Sequence, residues 1–366
     1  MNSHNMSKTQ SHKNNIVIAA AGGRKTTFII EEALRQKDKK ILITTYTQEN
    51  LDQISLYLIK RNGCIPENIT VLSWFTFLLR DGVWPYQNHV FPAQRVESLD
   101  FKTVRPPIVR GGQQNPSWYL NKGNYLYKDR VTEFICDCNG RCNGLVISRL
   151  EKIYDHIYID EMQDLVGWDQ ELVELLMQSS MAVTLVGDPR QATYSTNNSR
   201  KNRAQKGRHM LTWIDELVKK ELCHQEERNE CFRCNQEICD FADALYPTLA
   251  QTVSKNFERT GHDGIFTKKP KEILDYVAEF NPKILRWNKR ADTMNLPAIN
   301  IGLSKGRTYD RVLIFPTNPM KEYLRTREIK KAGDLSKLYV AITRARFSVA
   351  FVLEDKLDNS SRLSLN

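Results

Sequence analysis

A loop near the start of the chain has the residue types that bind polyphosphates. It consists of Ala21, Gly22, Gly23, Arg24, Lys25, Thr26 and Thr27, between an apolar run and a helical stretch. In such loops small residues leave backbone N–H groups free for phosphate oxygens, a lysine reaches the terminal phosphates, and a Ser or Thr hydroxyl binds Mg²⁺. Lys25 and Thr26 meet these requirements, so we expect a nucleotide site with Mg²⁺.

Arg24 departs from the pattern, because glycine is usual at this position. Two outcomes are open. Its side chain turns outward and the site works, or its Cβ forbids the loop conformation that glycine permits and the site is impaired.

Two acids, Asp160 and Glu161, follow a second apolar run at residues 156–159. Paired acids at the end of a strand are the expected companions of a phosphate loop, one for the Mg²⁺ shell and one to activate the attacking water. We assign the metal role to Asp160, together with Thr26, and the base role to Glu161. The alternative is an ordinary helix start, where acids are common.

The elements that must position these residues follow an alternating pattern. Short Ile- and Val-rich runs are typical of buried parallel strands, and helical stretches at 26–35 and 48–61 separate the first three. This alternation predicts an α/β protein built on parallel sheets. The predicted strands are residues 15–20, 40–45, 68–72, 156–159, 182–186, 298–302, 311–315 and 348–353.

Several segments, taken in order, resemble the motifs of UvrD-like superfamily 1 helicases. The matching segments are residues 41–47 and 72–76, which resemble two single-strand contact motifs, 160–164 (DEMQD), 185–191 (LVGDPRQ), 231–233 (CFR), 303–310 (LSKGRTYD) and 338–345 (LYVAITRA). They extend over nearly the whole chain. Their fixed order makes the resemblance specific, although each segment alone is weak.

The resemblance implies two RecA-like parallel-sheet domains with ATP and Mg²⁺ between them. Carried onto this chain, Lys25 and Thr26 bind phosphate and Mg²⁺, and Gln191 senses the γ-phosphate. Arg233 and Arg344 stabilise the transferring phosphoryl group from the second domain. Gly306 joins the nucleotide-binding set through its motif.

The resemblance also implies a surface for single-stranded or partly duplex DNA. Aromatic and hydroxyl side chains at strand ends stack bases and hold phosphates, although core packing is the alternative for the aromatic ones. The residues assigned to this surface are Thr45, Tyr46, Thr47, Ser73, Trp74 and Tyr194. A basic segment with Arg200, Lys201, Arg203, Lys206 and Arg208 is a second candidate, or a solvated linker.

Composition is compatible with this interpretation. The 366 residues carry a formal net charge of +10, which suits an anionic partner, and hydrophobic residues make up 41%, as in globular proteins. The N-terminal stretch lacks the apolar core of a signal peptide, and no apolar run is long enough to cross a bilayer. We therefore expect no membrane association and a cytoplasmic location with reduced cysteines.

The predicted domains are 1–88 with 150–215, then 216–366, with a reduced insertion at 89–149. The insertion contains Cys136, Cys138 and Cys142, which offer three of the four ligands of a zinc site. Reduced thiols are the alternative. The second half is too short for the large insertion usual in this family.

These features predict an ATP-dependent helicase or single-strand DNA translocase. The resemblance implies 3′–5′ movement, and the small size suggests a nuclease partner in DNA repair or anti-phage defence. The alternative is a nucleic-acid-binding regulatory subunit whose ATP site Arg24 has degraded.

Overall fold

The computed structural model describes residues 13–104, 106, 108–197, 201–202, 205 and 209–354. Most of the basic segment, namely Arg200, Arg203, Lys206 and Arg208, lies outside the described residues. Within these described residues, fifteen strands are assigned: β1 (Asn15–Ala19), β2 (Ile41–Thr45), β3 (Ile69–Ser73), β4 (Ser98–Asp100), β5 (Tyr125–Tyr127), β6 (His156–Asp160), β7 (Ala182–Gly187), β8 (His224–Arg228), β9 (Glu230–Cys231), β10 (Val253–Ser254), β11 (Gly264–Lys268), β12 (Lys283–Arg286), β13 (Ile299–Asn300), β14 (Tyr309–Phe315) and β15 (Ala345–Val352).

In the part of the chain that the structure describes, eleven α-helices connect and cover these strands. They are α1 (Lys25–Arg35), α2 (Gln48–Asn62), α3 (Trp74–Phe77), α4 (Val131–Arg141), α5 (Leu145–Ile153), α6 (Trp168–Gln178), α7 (Met210–Lys219), α8 (Gln236–Asp243), α9 (Ile273–Phe280), α10 (Asn318–Thr326) and α11 (Leu335–Ile342). Among the described residues, no helix combines the length and hydrophobicity needed to cross a bilayer.

The two larger sheets are both parallel, which confirms the predicted fold class. The first sheet has the order β3-β2-β6-β7-β1-β8, and the second has the order β11-β15-β14-β12-β13. Apolar clusters fill both faces of each sheet, and β2 is buried along its whole length. Burial on both faces explains why the predicted strands are continuously apolar.

All eight predicted strands are present, with shifts of one to three residues at their ends. β8 (HQEER) was not predicted, because it is polar and lies at the edge of the first sheet, where one side of the strand has no neighbour. Since β8 pairs with β1, the chain is still part of the first sheet at Arg228, beyond the predicted boundary at residue 215.

The segment predicted as an insertion has two parts in the structure. Its first part contains the small parallel pair of β4 and β5. Its second part, α4 and the start of α5, packs into the core of the first sheet through Phe134, Cys138 and Val146. The division of the chain into domains stays a prediction.

Candidate nucleotide site between the two sheets

The phosphate loop joins β1 to α1. It lies directly against the second half of the chain, by which we mean the residues after β8, which carry the second large sheet. Gly22 has a φ of +75°, and a Cβ built on it would lie 2.7 Å from the Cβ of Arg233. A Cβ on Gly23 would lie 2.9 Å from the carbonyl oxygen of Ala20. Neither position has room for a side chain, so the loop needs both glycines. Ala21 is buried beneath it.

Arg24 takes a left-handed backbone conformation, with φ of 54° and ψ of 35°, immediately before α1. Its guanidinium carbon lies 3.8 Å from the centre of the Phe232 ring. The loop therefore adopts the conformation that glycine would permit, at a cost in backbone strain, and the long side chain is held against a ring from the second half.

Lys25 is half-buried, and its Nζ donates to the carbonyl oxygens of Ala19 at 3.3 Å and Ala20 at 3.2 Å. Burial lowers the pKa of Lys25, although the nearby carboxylates oppose this change. Two backbone carbonyls do not neutralise the charge of the ammonium group. An anion in front of the loop would neutralise it.

Thr26 and Asp160 lie side by side, as predicted for the metal pair. The Thr26 hydroxyl donates to Oδ2 of Asp160 at 2.9 Å. Burial, followed by the charge of Glu161, raises the pKa of Asp160 to about 6. Hydroxyl and carboxylate oxygens are the ligands Mg²⁺ prefers, and a buried acid pair gains from a nearby cation. The donor set therefore fits Mg²⁺.

Glu161 is positioned at the end of β6 with a φ of 60°. Its carboxylate accepts hydrogen bonds from Gln163 and from Asn50, the latter at 3.4 Å, and lies 3.5 Å from Nζ of Lys305. Burial opposes the charged form, but Lys305 and then Lys25 outweigh it, so the pKa of Glu161 is lowered. Glu161 is therefore ionised.

Lys305 comes from the second half and reaches into the acid cluster of the first. Its Nζ donates to Oδ2 of Asp164 at 2.7 Å, and burial of its ammonium group is outweighed by Asp164 and Glu161, which raise its pKa. Lys305 lies within the motif at residues 303–310, but nothing in the sequence indicated its role. Asn50 carried no recognisable signal, because nothing in its neighbourhood resembles a motif residue of the site.

Gln191 and the two predicted arginines meet across the cleft. Nη2 of Arg344 donates to Oε1 of Gln191 at 3.0 Å, and Nε2 of Gln191 donates to Oδ2 of Asp188 at 2.9 Å. Arg233 donates to the carbonyl oxygen of Thr343 at 3.0 Å. Burial, followed by the charge of Arg233, lowers the pKa of Arg344 to about 9.

One cavity of about 360 Å³ collects most of the predicted nucleotide residues from both halves. Asp160 and Ala21 do not line it, but Asp160 accepts a hydrogen bond from Thr26, which does. The residues in its wall that were predicted are Gly22, Gly23, Arg24, Lys25, Thr26, Thr27, Glu161, Gln191, Arg233, Gly306 and Arg344. The roles assigned to these residues stay predictions.

The predicted DNA-contact residues lie at the carboxyl ends of β2 and β3 and after β7, but they differ in exposure. Tyr46 and Tyr194 are half-buried, and the hydroxyls of Thr47 and Ser73 cap α2 and α3. Thr45 is buried.

Trp74 requires a correction. It is 1% exposed, it packs in the core of the first sheet, and its Nε1 donates to Asp169 at 3.4 Å. A ring enclosed in this way is not available to stack on a base, so we remove Trp74 from the DNA surface. The motif gave the position of Trp74 on the chain but not the direction of its side chain.

The three cysteines of the predicted insertion lie on α4 and at its end. Cys138 and Cys142 are buried, and burial raises the pKa of Cys136 to about 12. The described part of the chain contains no group of three or more His, Cys, Asp or Glu side chains arranged to hold a metal ion. The geometry therefore favours core thiols over a zinc site.

Comparison with known proteins gives one family match. Residues 127–210 match the model of the UvrD/REP helicase N-terminal domain. No curated protein sequence matches the chain.

Similar solved structures include three structures of viral helicases. The PRRSV helicase is 14% identical with a TM-score of 0.45, over 93% of this chain and 52% of that one. The arterivirus nonstructural protein 10 helicase is 12% identical with a TM-score of 0.48, over 94% and 61%. Its complex with DNA is 12% identical with a TM-score of 0.49, over 94% and 62%. The chain thus spans between about half and three fifths of their length.

The family match at residues 127–210 begins at the end of β5 and ends at the start of α7, so it includes the acid pair on β6 and Gln191 after β7. Over this segment the chain is similar to the UvrD/REP helicase N-terminal domain, and the ordered motifs on both sheets carry the resemblance to UvrD-like superfamily 1 helicases beyond it.

Proposed function

We propose that the chain is an ATP-dependent motor that moves on single-stranded DNA. The observation that carries this proposal is the cavity in which Lys25 and Glu161 from the first half face Arg233 and Arg344 from the second. A site with parts on two sheets can couple a chemical step to relative movement of the two halves.

The charges around the cavity support a nucleoside triphosphate as its ligand. Lys25, Arg233 and Arg344 converge there, and burial and mutual repulsion lower the pKa of Arg344. A triphosphate would neutralise all three cations and accept hydrogen bonds from the loop backbone. Thr26 and Asp160 would hold Mg²⁺, which neutralises charge on the phosphoryl group when bound.

The remaining residues can bind, orient and exchange protons around that ligand. Glu161 is ionised and can accept a proton from a water molecule. Gln191 is already oriented by Asp188 on one side and by Arg344 on the other. Arg344 can stabilise negative charge that develops on the far side of the phosphate, as arginines supplied across a cleft do.

Contacts between the two halves involve residues of the proposed catalytic site itself. Lys305 is paired with Glu161 and Asp164, and Arg344 with Gln191. A ligand that binds beside Glu161 or Gln191 therefore competes for Lys305 or Arg344, and it changes the contacts that hold the two halves together. We infer that this exchange of partners links nucleotide turnover to movement on DNA, with the 3′–5′ direction, the nuclease partner and the repair or anti-phage role as expectations from the family resemblance.

The second candidate function is a regulatory DNA-binding subunit that binds ATP without hydrolysing it. Two observations favour it, namely the strained backbone of Arg24 and the ion pair that engages Glu161. Both features lie at the catalytic positions, so a measurement of turnover separates the two functions.

The test is the rate of ATP hydrolysis with and without a single-stranded oligonucleotide, beside Lys25→Ala as the inactive control. We expect turnover in the wild-type protein that rises at least about tenfold with DNA, and none above background in the variant. Tight ATP binding with no turnover in either condition would support the regulatory function instead.

A further inference from the structure

An aromatic side chain in the predicted insertion stands at the edge of the proposed DNA surface. Phe101 follows β4 directly, and 56% of it is exposed to solvent. Nothing in the family resemblance assigns a role to this residue. Most other phenylalanines of the first half, such as Phe75 and Phe77, are at least nine-tenths buried.

The backbone around Phe101 is held in place by Asp100. Oδ1 of Asp100 accepts hydrogen bonds from the backbone N–H groups of Lys102 and Thr103, both at 2.9 Å, and Oδ2 accepts one from Asn121 at 2.6 Å. These hydrogen bonds, that of Thr103 first, hold the pKa of the Asp100 carboxyl well below its usual range. Phe101 is thus presented by a fixed turn, which lowers the entropy lost when a ligand binds to it.

Phe101 continues a row of rings that begins at Tyr46. Its ring meets Phe75 edge to face, with centroids 5.0 Å apart and an interplanar angle of 87°. The centroid of the Tyr46 ring lies 5.6 Å from that of the same Phe75 ring. The central ring is 8% exposed and supports the two outer rings, which are the accessible ones.

The row lies where a parallel sheet binds its ligands and leads towards the second half. Tyr46 and Phe75 follow the carboxyl ends of the neighbouring strands β2 and β3. Tyr194 follows β7 of the same sheet and is half-buried like Tyr46. The Tyr194 hydroxyl in turn lies 3.2 Å from where a Cβ on Gly302 would be. Aromatic rings therefore stand at the insertion, at the carboxyl edge of the sheet and beside the second half of the chain.

We propose that Phe101 is a base-stacking platform for single-stranded DNA and occupies, in the insertion, the role that the buried Trp74 cannot perform. The inference rests on the proposed function. A nucleobase fits the exposed face of Phe101 because stacking needs an accessible ring face and tolerates any base. The neighbouring Lys102 is exposed and can meet the backbone phosphate.

The experiment compares the affinity of three variants for a fluorescently labelled oligo(dT) of about 20 nucleotides. Phe101→Ala removes the ring, Phe101→Tyr retains it, and Phe257→Ala removes another solvent-exposed ring, 78% exposed, from the second half. We expect the Kd to rise roughly fivefold to 150-fold for Phe101→Ala, the range for loss of one stacked base. The other two variants should stay within about twofold to threefold of the wild type.

Two further readouts separate stacking from a structural role. The salt dependence of the affinity should be the same in Phe101→Ala and wild type, because no phosphate contact is lost. A 2-aminopurine base in the oligonucleotide should be quenched by the wild type and by Phe101→Tyr but less by Phe101→Ala. The midpoint of thermal unfolding reports whether each variant is folded.

The outcomes that overturn the proposal are distinct. If the wild type binds DNA and Phe101→Ala binds it equally well, Phe101 is not a platform, while the proposed function stands. If Phe101→Tyr loses as much affinity as Phe101→Ala, or if the substitution changes the oligomeric state, the exposed ring serves packing or self-association. If the wild type does not bind single-stranded DNA, the proposed function and this inference both fail.

Discussion

Replacing Arg24 tests the phosphate loop through two opposing contributions to stability. The left-handed conformation at φ of 54° costs a residue with a Cβ roughly 1–2 kcal/mol, and glycine avoids this cost. The stacking of the guanidinium on Phe232, at 3.8 Å, contributes roughly 0.5–1 kcal/mol at an exposed position. Arg24→Ala loses the stacking and keeps the strain, whereas Arg24→Gly loses both.

We therefore expect Arg24→Ala to lower the free energy of unfolding by about 0.5–1 kcal/mol, and Arg24→Gly to exceed Arg24→Ala by about 1 kcal/mol. Urea unfolding measures both values. In a Phe232→Leu background, Arg24→Ala should have almost no effect, because the ring that Arg24 stacks on is already absent. ATP hydrolysis by Arg24→Gly should differ from wild type by less than roughly tenfold, which is under about 1.4 kcal/mol of barrier.

Equal stability of the alanine and glycine variants would refute the argument from backbone strain. An inert wild-type protein that Arg24→Gly activates would refute the proposal of ATP turnover for the natural chain. The regulatory function would then take its place.

Three other perturbations have effects that the structure predicts. Gly22→Ala should weaken ATP binding and cost on the order of 2 kcal/mol of stability, because its Cβ would lie 2.7 Å from the Cβ of Arg233 at a φ of +75°. Nucleotide titration measures the affinity and urea unfolding measures the stability. An affinity for ATP equal to that of the wild type would contradict the prediction. His156 bridges Gln36 and Thr184, and burial, with a small contribution from a nearby lysine, lowers its pKa to about 4. The folded state binds fewer protons than the unfolded chain, whose histidine pKa is about 6.5. The free energy of unfolding should therefore fall by up to about 3 kcal/mol as pH decreases from 6.5 towards 4, and His156→Gln should lack this loss. Parallel pH profiles of unfolding for the wild type and the variant would argue against it. Binding to single-stranded DNA should weaken more than about tenfold between 50 and 200 mM salt, because the contacts are mainly to phosphates and the chain is basic; a flat titration would be inconsistent with this.

The sequence was most informative where local pattern and three-dimensional role coincide. The strands that carry the nucleotide motifs are buried on both faces, so their apolar runs identified them. The phosphate loop and the acid pair each end such a strand, and parallel strands bring their carboxyl ends to one edge of the sheet. The meeting of Thr26 with Asp160 was therefore predictable from the sequence.

Features that depend on side-chain direction or on the edge of a sheet were not predictable. β8 is polar because it is an edge strand, and it has no alternating or continuous apolar signal. The Trp74 side chain points into the core, although its neighbours lie at the proposed DNA surface. The partners of Arg24 and Lys305 come from the other half of the chain, and no local pattern indicates such contacts.

The central claim is that Glu161 serves a working ATPase site built from both halves. The most direct measurement compares ATP turnover and ATP affinity in the wild type and in Glu161→Gln, each saturated with single-stranded DNA. We predict that the variant binds ATP within about threefold of wild type, because Lys25 and the loop are intact, while turnover falls by at least about 100-fold, as expected for loss of a general base. Turnover that is unchanged in Glu161→Gln, at equal affinity, would contradict the account.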